Sequence, residues 1–185
     1  LPATLALAGK AVPETEIFVR NERCPAGVWI AAQANPLPNH TGKIRGSVVI
    51  FRDITEKKQK ESQLRILTNA VEQTADCIII TDSDARIEYV NPAFEAITGF
   101  SSQEALGHTP MILKSGVHDD AFYRDLWTTI LSGKVYRNTI VNRKKNGDMF
   151  YAEQTITPMR DETGKITHFV TVIKDVTDLR KLQQQ

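Results

Sequence analysis

The chain has 185 residues, 41% hydrophobic and 24% charged, with 23 basic against 22 acidic side chains, the profile of an ordinary globular chain of one or two small domains. A net charge of +1 supports neither nucleic acid nor a membrane surface as a bulk electrostatic partner. Apolar runs such as "CIII" and "VVIF" are four residues long, far short of a spanning helix, and the two cysteines, Cys24 and Cys77, lack CxxC spacing, so a disulfide framework or zinc site is not expected and a reducing cytoplasm fits.

In chain order, the first readable elements are two strands, "VWIAAQANP" and "KIRGSVVIFRDIT", rich in β-branched and aromatic residues and separated by the loop cluster "NHTG". The stretch "TEKKQKESQLRILTNAVEQTAD" follows; Thr55 can cap it, it holds neither Gly nor Pro, and Leu64, Leu67 and Val71 recur at helical spacing. It reads as a stiff helical linker whose narrow apolar seam suits self-association beside a domain contact.

Beyond it, "CIIIT" and "IEYV" are short strands around the tight turn "DSDAR". Asn91 then caps a helix with Pro92 at its first position and Phe94 and Ile97 on one face, stopped by Gly99. "SSQEALG" is a second short helix with a Ser cap and Gly107 at its end. From Asp119 or Asp120 a longer helix carries Phe122, Leu126 and Ile130 in one row and Tyr123, Trp127 and Leu131 in the next, a broad apolar surface that must face a core or a pocket. Three antiparallel strands close the unit: "VYRNTIVNRKKNGD" with an Asn-Gly turn, "MFYAEQTITP", and "KITHFVTVIKDVT" after "RDETG". The order implies an α+β unit with helices over one face of an antiparallel sheet. "VTDLRKLQQQ" starts one more helix.

The last strand repeats the earlier one. Gly42 maps onto Gly164 at an offset of 122, which also carries Asp53 onto Asp175, Thr55 onto Thr177 and Pro36 onto Pro158; upstream, "LALAGK" matches "ILSGK" at an offset of 124. One structural unit is therefore written twice. The expected division of the chain is residues 1–55, the C-terminal part of a first copy truncated in an excised fragment; a helical linker, 56–66, running on to about 75; a complete second copy, 67–177; and the start of a C-terminal signalling helix, 178–185.

The second copy, from "IIITDSDARIEYVNPAFEAITGF" to "VTVIKDVT", resembles the PAS domain family, with Asn91-Pro92-Ala93-Phe94, Ile97-Thr98-Gly99 and Asp175-Val176-Thr177 carrying the likeness. The first copy resembles the final strands of another PAS domain, ending in Asp53-Ile54-Thr55. The resemblance implies a five-stranded antiparallel sheet cupped by helices, a small-molecule pocket between them, and output through helical linkers to an effector such as a histidine kinase of a two-component system or a cyclic-di-nucleotide enzyme. Within the family the second copy is most similar to flavin-binding, redox-sensing domains, which implies FAD as cofactor and Asn142, Trp127, Phe94, Met111 and Tyr136 as the residues around it. Arg20 stands at the first copy's counterpart of Asn142.

Asp175 and Thr177, with Asp53 and Thr55, sit where a strand becomes a helix; they read as signal-relay joints, against the plainer reading as helix caps. Light-sensing flavin modules of the family carry a Cys after the Gly that aligns with Gly107, and here His108, Thr109, Pro110 and Met111 follow instead. His108 and His118 read as surface residues rather than haem ligands, and no nucleophile–base pair, phosphate loop or metal-ligand spacing appears. The expectation is a homodimeric sensor module, not an enzyme, without direct membrane or nucleic-acid contact; the alternative is a ligand-free PAS module for dimerisation and relay.

Overall fold

The structure is a computed structural model that describes residues 2–183; residues 1, 184 and 185, which belong to the expected terminal segments, lie outside the described residues. The chain divides between Leu67 and Thr68 into two compact units.

The first unit begins with helix α1 (Pro2–Leu7), followed by β1 (Val12–Asn21), β2 (Cys24–Pro38), β3 (Ile44–Asp53) and most of α2 (Thr55–Glu72). Its strands form an antiparallel sheet in the order β1-β2-β3. Ala6 of α1 and Ala32 and Ala34 of β2 are fully buried. The unit has three strands where the sequence pattern marks two, because "VPETEIFVRN" alternates weakly and its polar residues mask it. The β1–β2 hairpin turns at Asn21, whose side-chain oxygen accepts the N–H groups of Arg23 and Cys24. Gly27 sits at φ +78° with the Phe18 ring where its Cβ would be. Here glycine meets both a left-handed backbone and a close approach.

The second unit continues with β4 (Cys77–Asp82), β5 (Ile87–Val90), α3 (Pro92–Thr98), α4 (Ser102–Ala105), a 3-10 turn (Pro110–Leu113), α5 (Asp120–Leu131), β6 (Tyr136–Arg143), β7 (Met149–Arg160), β8 (Ile166–Asp175) and α6 (Thr177–Gln183). Its sheet is five-stranded and antiparallel, ordered β5-β4-β8-β7-β6. The caps follow the sequence chemistry. Asn91 accepts from the Phe94 N–H, Ser101 and Glu104 form a reciprocal capping box, and Asp119 accepts from Phe122. Asn91 does more than cap: its carbonyl accepts the Ile78 N–H while its amide donates to Val71 and Asp76 carbonyls, tying α2's end, β4 and α3 together.

Period-two alternation sends one face of each strand inward. Cys77, Ile79, Phe150, Ala152 and Ile173 meet Phe94 and Leu113 in one core cluster. Tyr136, Ile140, Ile156 and Phe169 meet Leu126 and Ile130 of α5 in another.

The offset of 122 holds in three dimensions for the last two strands of each unit. Ile30 pairs with Asp53 as Ala152 pairs with Asp175, and Pro36 with Ser47 as Pro158 with Phe169. It fails for β1: Val19 opposes Val28, the place Asn142 holds opposite Phe150. The counterpart of Asn142 in the first unit is therefore Val19, not Arg20, because a register shift between Val19 and Asn21 in the first hairpin displaces the strand by one residue.

Candidate functional site

A cavity of about 190 Å³ lies between the helices and the sheet of the second unit, walled by members of both core clusters. Its walls are mostly aliphatic: Ile79, Leu126, Ile130, Ile140, Ile156 and Ile173. Four buried polar side chains of the sheet interrupt them: Thr81 on β4, Asn142 on β6, Gln154 on β7 and Thr171 on β8. Each sits on the inward face of its strand, at a different level of the sheet, so polar groups are spread over an apolar floor. Thr81 donates to the Asp82 carbonyl; among the described residues, neither the Asn142 nor the Gln154 amide makes a side-chain hydrogen bond to protein. Both amides open onto the cavity, so these two groups are suited to a ligand with complementary polar atoms.

Of the five residues expected around a cofactor, three reach the cavity. Asn142 stands in its wall, 6% exposed, and Trp127 and Met111, 39% and 64% exposed, stand where the wall meets solvent. Phe94 and Tyr136 are placed elsewhere. The Phe94 ring is fully buried in the core cluster beside Cys77 and Phe150, because α3 packs on β4 and turns it into the core. The Tyr136 ring packs beneath α5, and its hydroxyl accepts from Asn138 Nδ2 at 3.1 Å. Gln154 was missed from sequence. Its signal was available: in "AEQTIT" the alternation puts Ala152, Gln154 and Ile156 on one face, and a Gln in that series is a polar group at a core position.

The rim of the cavity is held by residues 114–118, which run beside the free edge of β6. Lys114 forms an isolated antiparallel bridge with Asn142. The Ser115 hydroxyl donates to the Val141 carbonyl, and the Val141 N–H donates to His118 Nε2 at 2.9 Å. His118, expected at the surface, is instead half-buried and stacked on Phe122 at 4.1 Å. An edge strand's outward groups need such cover.

At the far end of β8 the strand passes into α6 through Asp175 and Thr177. Thr177 Oγ1 accepts the Tyr151 N–H at 3.0 Å and donates to Asp175 Oδ1, which also accepts the Thr177 N–H at 3.0 Å. The Val176 N–H donates to the Tyr151 carbonyl, and the Arg180 guanidinium lies over the Tyr151 ring at 5.2 Å. Burial pushes the Asp175 carboxyl up, but the Thr177 hydroxyl and amide and the Lys144 ammonium at 3.4 Å outweigh it and hold it below its ordinary value. Asp53 and Thr55 repeat the set. Thr55 Oγ1 accepts the Trp29 N–H at 2.9 Å, Asp53 accepts the Thr55 N–H at 2.8 Å, the Ile54 N–H donates to the Trp29 carbonyl, and Lys58 lies over the Trp29 ring at 5.6 Å. Hydrogen bonds from Thr55 hold Asp53 below its ordinary value.

The family model for the PAS domain matches residues 6–56 and 75–178. The chain belongs to the PAS domain family. Among PAS relatives, the nitrogen fixation regulatory protein of Klebsiella oxytoca is 30% identical over 115 residues, 62% of this chain and 23% of that protein. The blue-light-activated histidine kinase of Brucella canis is 33% identical over 111 residues, 58% of this chain and 23% of the kinase. The chain thus spans about a quarter of the length of these relatives. Among solved structures, an RNA-binding Light-Oxygen-Voltage receptor superposes with a TM-score of 0.61 at 25% identity, over 83% of this chain and 42% of the receptor. The PAS domain of a Colwellia psychrerythraea protein superposes at 0.55 and 21% identity, over 63% of this chain and 98% of that domain, a likeness of fold. The chain is a sensory and signalling PAS module. Among the described residues no helix is long and apolar enough to cross a membrane.

Proposed function

We propose that the second PAS unit binds a flavin, FAD by preference, and passes a change in its redox state through β7 and β8 to α6. The observation that carries the reading is the pair of amides, Asn142 and Gln154, that face a mostly aliphatic cavity without a side-chain hydrogen bond to protein. A flat heterocycle with an apolar body and a polar edge answers that chemistry, and Trp127 at the rim suits a ring system that extends toward solvent. Bound flavin would supply a proton-coupled redox change in which a ring nitrogen passes from hydrogen-bond acceptor to donor. Asn142 is suited to follow it, because an amide presents either its oxygen or its NH2 by flipping.

The route onward is short. Asn142 pairs across the sheet with Phe150, and the next residue, Tyr151, bonds Thr177 through its N–H and Val176 through its carbonyl. Two residues beyond Asn142, Lys144 meets Asp175 directly. A redox reading is favoured over light-driven adduct chemistry because no cysteine lines the cavity, and Cys77 is buried at the start of β4 with its thiol pushed up to about 12 by burial. The first unit is apolar where the second is polar: Val19, Ala32 and Val49 stand at the register positions of Asn142, Gln154 and Thr171, so flavin belongs to the second unit alone.

In this reading the fragment is a homodimeric cytoplasmic sensor without catalysis of its own, joined in its parent to an effector such as a histidine kinase or a cyclic-di-nucleotide enzyme. The relatives named regulator and histidine kinase support that assignment. Titration of wild-type protein and Asn142→Ala with FAD, followed by flavin fluorescence, tests it: Asn142→Ala should bind about tenfold more weakly, the scale of one hydrogen bond in a buried site. Equal affinity for both proteins would remove Asn142 from the site.

A further inference from the structure

Val141 lies next to Asn142 on β6, the edge strand of its sheet. Two side chains of the strap beside that edge take up both of its backbone groups: the Ser115 hydroxyl donates to the carbonyl, and the N–H donates to His118 Nε2 at 2.9 Å. Lys114, at the head of the strap, bridges to Asn142 and lines the cavity together with Met111 and Leu113. The strap is therefore both a piece of cavity wall and the edge cover of the strand that carries Asn142.

A backbone N–H donates only to a nitrogen with a free lone pair, so the bond to Nε2 places the ring proton of His118 on Nδ1. An imidazolium carries N–H on both nitrogens and has no acceptor left, whichever way the ring turns. Proton uptake thus sets one donor against another and breaks the bond. Phe122 stacks on the ring at 4.1 Å but carries no charge. The charged and titratable groups around the ring are Lys114, whose Nζ lies 4.6 Å from the Tyr123 ring centroid, the Tyr123 phenol itself, edge-on to His118 at 6.4 Å, Asp119, which caps α5 at the Phe122 N–H, Asp120, and Arg143 two residues beyond Val141. Among the described residues the histidine in an ion pair is His168, 3.2 Å from Glu88; no such pair at His118 replaces the lost bond.

We propose that His118 is a positioning residue that makes the ligand site proton-sensitive: its neutral ring latches the strap to Val141 and so fixes the strand that carries Asn142, and proton uptake releases it. Imidazole changes charge within roughly pH 5–8, so the latch is closed at the alkaline end of that window and open at the acid end. Ligand binding that needs the closed strap then weakens as pH falls. The consequence for flavin rests on the flavin reading of the cavity; the latch itself does not.

The test uses the whole chain in two arms. In the first, ligand-free protein is followed by nuclear magnetic resonance between pH 8 and pH 5.5. At pH 8 the His118 ring should be protonated on Nδ1 with Nε2 bare, and the Val141 amide should lose protection in step with titration of that ring. A ring protonated on Nε2 at pH 8, or a Val141 amide indifferent to the titration, overturns the latch. In the second arm, FAD affinity is measured at both pH values. Wild type should bind about five- to tenfold more weakly at pH 5.5, the scale of one hydrogen bond, and His118→Gln, which keeps an acceptor oxygen but does not titrate, should flatten the profile. An equal pH dependence in the two proteins assigns the effect to another group and overturns the coupling. Wild-type protein that takes up no FAD at either pH overturns the flavin reading, while the first arm still decides the latch.

Discussion

Asn142, Gln154 and Thr171 lie on neighbouring strands and point to one face only because β6, β7 and β8 pair in a fixed register; a slip of one residue would turn each to the other side of the sheet. Their cost and their use are separable. Gln154→Leu fills the same space without an amide, so the ligand-free protein should be no less stable in denaturant unfolding while FAD binding weakens several-fold. A loss of ligand-free stability would mean that the amide is already bonded. Asp175 makes a pH prediction. Its folded pKa lies below the ordinary 3.8, so its contribution is present above the unfolded value and disappears as pH falls through the lower folded one. Wild-type melting temperature should therefore drop between pH 4 and lower pH by more than that of Asp175→Asn, and the two curves should converge at the acid end. Parallel curves would contradict the bonding to Thr177 and Lys144.

At the scale of elements, the two strand-to-helix joints share one bond set, and an N-cap interaction of this kind contributes about 1 kcal/mol. Thr177→Val keeps the shape and removes both hydroxyl bonds. It should speed amide exchange at Tyr151 and fray α6, whereas Thr177→Ser should restore protection; unchanged exchange at Tyr151 in the valine variant would show that the joint is not held by the hydroxyl. Much of this level was legible in the chain: "NPAFEAITGF" announces α3 through its cap, its proline and its terminal glycine at φ +77°, and the repeated Asp-x-Thr marks both joints. Other features were hidden for physical reasons. β1 is polar on alternate and consecutive positions alike, so its period is weak. The one-residue shift that replaces Arg20 by Val19 is a hairpin property that ungapped alignment cannot register. His118 carries no local pattern, since its partner Val141 is 23 residues away. Phe94 and Tyr136 are expected at the cofactor from the family resemblance alone; which cluster each fills depends on helix packing that sequence spacing does not encode.

Across the whole molecule the two units differ in how much they bury. Phe51 in β3 is 66% exposed, while its register counterpart Ile173, covered by helices and flanked by β4, is 1% exposed. Burial of apolar surface is the main stabilising term, so limited proteolysis should cut within residues 2–67 before it cuts within residues 75–177; first cleavage inside the second unit would reverse this order of stability. α2 has no buried residue, and Leu64 and Leu67 are 64% and 58% exposed. A helix with an uncovered apolar seam is short of a partner, and the proposed homodimer supplies one. Light scattering should give twice the chain mass for the wild type and the monomer mass for Leu64→Lys with Leu67→Lys; a wild type that stays monomeric at high concentration would contradict it. The central claim, that the cavity of the second unit is a flavin site, is tested most directly by the visible absorption spectrum of protein purified without added cofactor and then offered FAD. The account predicts a flavin band that stays with the protein through gel filtration and bleaches on reduction. A protein that remains colourless, and gains no band from FAD, would contradict it and leave a ligand-free relay module.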